Sequence, residues 1–113
     1  MPFINAKVTV GLSQEKKDVL KAEFGKAVSI LGKPESYLMV GLEENATLYF
    51  AGKALEKGAF VSVQVFGAID SASSAKMTAK ICDILQKELD IPPKAVYVTY
   101  QGVRDWGWNG SNF

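Results

Sequence analysis

Residues 24–34, FGKAVSILGKP, and residues 82–92, CDILQKELDIP, are the two passages on which the fold turns. Laid over one another at a separation of 58, Phe24 falls on Cys82, Ala27 on Leu85, Leu31 on Leu89 and Pro34 on Pro92. Each passage is the end of an apolar helical stripe that proline stops. In the first, residues 14–31 carry Leu20, Phe24, Ala27 and Leu31 at helical spacing, with Ser13 placed as N-cap. Gly32 suits the left-handed position that closes a helix, and Pro34 prevents its resumption. In the second, Ser71 or Ser73 is placed to cap a helix running to about Leu89, with Ile81, Leu85 and Leu89 as its stripe and Cys82 and Ile84 beside it. Pro92 and Pro93 are expected to end it.

Working outward, each helix is bracketed by strands. Residues 3–10, FINAKVTV, put Ile4, Ala6, Val8 and Val10 on one face before Gly11. Residues 37–42 read as a second strand, 47–50 as a short edge piece, 59–66 as a strand ended by Gly67, and 95–100 as the last strand. The pattern is a tandem pair of βαβ units in one domain of residues 1–113, an internal duplication of about 2–58 and 59–113. Right-handed crossovers place both helices on one face of a four-stranded mixed sheet, an α/β (α+β) architecture. Strands 37–42 and 95–100 read as apolar on both faces, as in buried sheets. The helices cover one face only, so the other is expected to meet another copy of the chain. A few hundred Å² of apolar surface, at roughly 25 cal/mol per Å², favours such association by several kcal/mol before entropic costs.

Composition narrows the chemistry. With 48% hydrophobic and 22% charged residues the chain has the balance of a globular protein, and its net charge of +1 gives no electrostatic pull toward nucleic acid or an anionic membrane. No apolar run is long enough to span a bilayer, and the start MPFINAKVTV lacks a secretory signal, so a cytoplasmic location is expected. There is no histidine, which removes Ser-His-Asp and Cys-His catalysis and histidine-ligated metals. The single cysteine, Cys82, leaves no intrachain disulfide or CxxC pair, and its apolar neighbours make it a buried filler. No cofactor is expected.

The remaining bases are carboxylates, lysines, tyrosines and the N-terminal amine. Proline follows Met1, and its small side chain permits removal of the initiator, exposing a secondary amine on a fixed ring. An α-amino group has a reference pKa near ~8, the nearest to neutrality among the bases left. Desolvation or a neighbouring cation would lower it further and keep it basic at pH 7. Lys33, after a helix C-terminus, reads either as a solvated loop lysine or as a cation for a substrate carboxylate or enolate oxygen. The C-terminal stretch from Trp106 to Phe113, WGWNGSNF, holds both tryptophans and an Asn109-Gly110 turn signal, so this tail is expected to dock at a core, an interface or a pocket.

Taken together, Met1-Pro2, Gly32-Lys33-Pro34 with Tyr37, Phe66-Gly67, Val96-Tyr97-Val98 and the ending WGWNGSNF resemble the macrophage migration inhibitory factor and dopachrome tautomerase family. The resemblance spans the whole chain in order. It implies a homotrimer with a central barrel of sheets, active sites between subunits, and keto–enol tautomerisation of small aromatic keto/enol acids without a cofactor. It further implies Pro2 as base and then acid, with Lys33 holding the substrate carboxylate or oxyanion. The Phe66 backbone N–H would donate a hydrogen bond, and Tyr97 would come from the neighbouring subunit. Phe3, Tyr37, Trp106, Trp108 and Phe113 would form apolar walls.

The chain departs from the family pattern in three places. Thr99 stands where asparagine is frequent, Phe66 where isoleucine is usual, and Gly58 and Val61 where vertebrate cytokines have CxxC. A second reading is a cytokine-like signalling protein that uses its surface on a protein receptor, secreted without a signal peptide. A third is hydration or dehalogenation of an unsaturated acid on the same site. Related enzymes do this with extra arginines, and Arg104 is the only one here.

Overall fold

Alternation at the start of the chain decides which side of the sheet is inside. A computed structural model describes residues 1–113. Strand β1, Pro2–Val8, buries Pro2, Ile4, Ala6 and Val8 and leaves Phe3, Asn5 and Lys7 on the opposite face. Helix α1, Gln14–Ala27, is capped by Ser13, whose hydroxyl oxygen accepts the Lys16 N–H at 3.1 Å. The helix tightens into a 3₁₀ turn, Val28–Leu31, and ends at Gly32 with φ of 72°. A further 3₁₀ turn, Glu35–Tyr37, precedes strand β2, Met39–Glu43. Tyr37, expected on the strand, therefore sits in a turn. Strands β3, Tyr49–Phe50, and β4, Lys53–Ala54, form a small hairpin of their own rather than an edge of the main sheet.

The second half repeats the plan. Strand β5, Ala59–Phe66, ends at Gly67 with φ of 90°. Helix α2, Ser71–Leu89, is capped by Asp70 rather than by Ser71 or Ser73, because the Asp70 carboxylate accepts both the N–H and the hydroxyl of Ser73. Its end is set by Asp90, left-handed at φ of 56°, before the prolines are reached. Strand β6, Val96–Val103, follows, and the tail closes as a hairpin of β7, Gly107–Trp108, and β8, Ser111–Asn112.

The main sheet runs β2-β1-β5-β6, with β1 parallel to β2, β5 parallel to β6, and the two central strands antiparallel. Both helices lie on one face, and the core closes between Ile4, Ala6, Val8, Val61 and Val63 of the sheet and Leu20, Phe24, Met77, Ile81 and Leu85 of the helices. Each of these side chains except the small Ala6 contributes about 1.5–3 kcal/mol by burial. Cys82, expected in this core, is only half-buried beside it.

The other face is a mosaic rather than the apolar surface expected. Phe3, Met39, Phe60 and Tyr97 alternate with Asn5, Ser62, Thr99 and Gln101, and Asn5 donates to the Glu43 carboxylate at 2.7 Å. Residues of β2 and β6 taken for a second apolar face, such as Val40, Leu42, Val98 and Tyr100, point toward the helices and pack on the core. No helix is long and apolar enough to cross a membrane.

Candidate active site

Three distant segments meet at the N-terminal end of β1. Pairing sets Pro2 opposite Val65, and Phe3 between Gln64 on one side and Met39 on the other. The 3₁₀ turn before β2 brings Ser36 and Tyr37, and the tail hairpin brings Trp106 and Trp108. Together with Met1 and Leu38 they line an open cavity of about 560 Å³.

The geometry around the Pro2 nitrogen is specific. That nitrogen is acylated by Met1, and the Met1 carbonyl oxygen accepts the Phe66 N–H at 2.9 Å. The Phe66 carbonyl in turn accepts from Lys33 Nζ at 3.2 Å. Gly32, left-handed after α1, and Pro34, extended, hold Lys33 between them and send its stem back toward the end of β5. Partial burial lowers the Met1 ammonium below the ordinary α-amino range, and the positive charge of Lys33 adds to the effect.

Aromatic packing builds the wall. Tyr37 meets Trp108 edge-on at 5.7 Å between ring centres, and Trp108 stacks on Phe113 at 6.3 Å. Phe113 also lies 5.5 Å from Phe66. The tail can fold back because Asn109 and Gly110 both take positive φ, 54° and 86°, the geometry of a tight hairpin turn. The Phe113 N–H then bonds the Trp106 carbonyl at 3.1 Å.

Of the residues singled out in the sequence, Pro2, Phe3, Tyr37, Trp106 and Trp108 line the cavity, and Lys33, Phe66 and Phe113 border it through these contacts. Tyr97 and Thr99 do not. Tyr97 lies opposite Phe60, at the other end of the sheet, against Phe50 and Phe60 at 5.7 and 6.5 Å. Thr99 lies opposite Ser62 on the open face. From Val65, the partner of Pro2, to Phe60 is five residues, roughly 17 Å of strand. Gln64 and Met39 escaped the sequence reading because only strand register sets them beside Phe3, and register is not written in either segment alone. Leu38 escaped because it read as part of a strand over 37–42, and Ser36 because it fell outside every element read, whereas the turn Glu35–Tyr37 brings both to the cavity.

Two alternatives lose ground here. Burial, with the neighbouring Asp83 charge, pushes the Cys82 thiol up, away from the thiolate that nucleophilic chemistry needs. Arg104 is exposed and paired with Asp105 at 2.8 Å. The acidic and thiol side chains nowhere cluster as a metal site would require.

A double βαβ sheet with Pro2 at the head of its first strand, under an aromatic hairpin, defines the class, and comparison with known proteins agrees. The family model for macrophage migration inhibitory factor (MIF) matches residues 1–113. The crystal structure of Leishmania major MIF2 superposes with a TM-score of 0.93 at 33% identity, covering 100% of this chain and 97% of that one. A homologue from Prochlorococcus marinus gives 0.88 at 30% identity, covering 98% of each chain. Among curated proteins, the macrophage migration inhibitory factor homolog of Trichinella spiralis is 29% identical over the whole of both chains. The chain belongs to the macrophage migration inhibitory factor family, within the tautomerase superfamily.

Proposed function

We propose that this protein is a cofactor-independent keto–enol tautomerase of aromatic 2-keto acids, with the Pro2 amine as base once Met1 is removed. The observation that carries the reading is the hydrogen bond from the Phe66 N–H to the carbonyl oxygen of Met1. That oxygen is two bonds from the Pro2 nitrogen. Removing Met1 leaves a free secondary amine beside an unoccupied backbone donor, with the Lys33 ammonium on the carbonyl of the same residue, Phe66.

Those groups suit one proton shuttle. The amine takes a proton from the carbon next to the keto group, and the developing enolate oxygen accepts from the Phe66 N–H. The Lys33 ammonium balances the substrate carboxylate. The proline ammonium then returns the proton to the oxygen, giving the enol, and the reverse path gives the ketone. Tyr37, Trp108 and Phe113 present apolar ring faces to an aryl group.

The same reading includes a homotrimer with sites between subunits. Tyr97 and Thr99 lie too far from Pro2 in their own chain to serve its site, and a neighbouring copy laid on the open face supplies them. A phenylpyruvate enol–keto assay on protein whose N-terminus is verified by mass tests the activity. Rapid tautomerisation by the proline-terminated form is expected. A rate equal to that of buffer alone would remove the enzyme reading and favour a binding role.

A further inference from the structure

Gly102 sits on β6, outside the cavity, opposite Val65. It has no positive φ to require glycine. Glycine inside a strand weakens it, and its presence often marks a close approach by other backbone. Here the approaching backbone is the Gly67–Ala68 peptide, the second after Phe66. A Cβ built on Gly102 would overlap the Gly67 carbonyl oxygen and stand 3.4 Å from Ala68 Cα. Unlike a flexible side-chain tip, that peptide cannot swing aside alone. The left-handed Gly67 joins it to the Phe66–Gly67 peptide, which is held by the Gly67 N–H bonding the Val103 carbonyl at 2.9 Å, so a push on one is passed to the other.

Gly67 is bonded directly to the residue whose two peptide groups frame the site. The Phe66 N–H donates to the Met1 carbonyl oxygen, two bonds from the Pro2 nitrogen, and the Phe66 carbonyl accepts from the Lys33 ammonium. We infer that Gly102 is a positioning residue: by leaving room for the Gly67 peptide, it sets where Phe66 aims its N–H and where Lys33 rests. The inference depends on the proposed tautomerase reading for its kinetic consequence but not for its structural one.

Two signatures follow for Gly102→Ala in the proline-terminated protein. Displacing the donor weakens oxyanion stabilisation, so kcat for phenylpyruvate falls by about 10-fold, less than the ~10²–10³ of losing such a donor outright, while KM changes little. Displacing the Phe66 carbonyl also frees Lys33 from its place beside the amine. A more distant cation lowers the amine pKa less, so that pKa rises and the acid limb of kcat/KM moves to higher pH.

The N-terminal amine pKa is read independently of activity, from the pH dependence of its acylation. Ile84→Val, a truncation in the buried core far from the cavity, serves as a variant that loses stability alone. Gly102→Ala behaving like Ile84→Val in both readouts overturns the inference. If Gly102→Ala fails to fold by circular dichroism, Gly67→Ala replaces it. A Cβ there meets open space but strains the positive φ of the same peptide, so both signatures are required of it. Should blocking the amine leave wild-type tautomerisation intact, the proline reading fails, while the amine pKa of Gly102→Ala still decides the role of Gly102.

Discussion

In the proposed mechanism Phe66 acts through its two peptide groups and not its ring, so a phenylalanine in place of isoleucine leaves that chemistry possible. Its ring packs on Phe113, while its N–H donates to the Met1 carbonyl and its own carbonyl accepts from Lys33. For the base itself, Pro2→Gly should leave folding intact and cost on the order of 10²–10⁴-fold in kcat/KM, the share of a positioned general base. Protein that keeps Met1 should be equally poor, since an acylated nitrogen has no basic lone pair and the Met1 carbonyl occupies the Phe66 donor. Steady-state kinetics on forms separated by mass would check both, and normal rates in both would remove the proline mechanism. Lys33→Ala should raise KM for arylpyruvates by a factor corresponding to about 1–3 kcal/mol, the worth of a charged hydrogen bond. It should also raise the pKa of the Pro2 amine freed by Met1 removal, because a cation held beside that end of the chain disfavours the ammonium and is gone in this variant. The acid limb of kcat/KM therefore moves to higher pH. An unmoved limb with unchanged KM would make Lys33 an ordinary loop lysine.

Element by element, the chain announced what short-range chemistry controls. Ser13, Gly32 and the Asn109-Gly110 turn stand where their local preferences put them, and β5 has the limits its alternation implies. Errors arose where a neighbour outcompeted a plausible residue. Asp70 caps α2 in place of Ser71 or Ser73 because a carboxylate one residue earlier accepts two Ser73 hydrogens at once. Asp90 ends the same helix ahead of Pro92 with a left-handed turn and an ion pair from Lys57 at 2.7 Å. The cavity was half legible, since its aromatic residues stand out in sequence while Gln64 and Met39 enter only through strand pairing. A direct consequence concerns pH. The Ser73 hydroxyl, then its N–H, hold the Asp70 carboxyl below the usual carboxylate range. A depressed folded-state pKa means stability that is present above the unfolded pKa and lost as pH falls through the folded one. Asp70→Ala should therefore lower Tm at neutral pH, with the gap to wild type closing in acid, whereas Ser71→Ala should leave Tm nearly unchanged. Thermal melts across pH would decide, and a gap that persists in strong acid would reassign the cap.

At the scale of the whole molecule, the open face carries the argument. Phe3, Met39, Phe60 and Tyr97 expose apolar surface there, yet polar residues run between them, so area alone does not require a partner. The stronger reason lies in the proposed tautomerase reading, which divides the site. Tyr97 packs with Phe50 and Phe60 against a small apolar hollow of about 90 Å³, at the far end of the sheet from Pro2. If a neighbouring copy brings its Tyr97 to the Pro2 cavity, light scattering should report three chains, and Tyr97→Ala should reduce activity although it touches nothing at its own Pro2. Complementation then separates a shared site from an indirect effect. In equal mixtures of Pro2→Gly and Tyr97→Ala chains, unfolded and reassembled together, a cavity is intact when its Pro2 comes from a Tyr97→Ala chain and its neighbour is a Pro2→Gly chain. Random assembly in a closed ring makes about a quarter of the cavities intact. Activity should rise toward that fraction of wild type, while each variant alone stays inactive or weak. A mixture no more active than the mean of its two components would place the whole site within one chain and leave the open face without a role in catalysis.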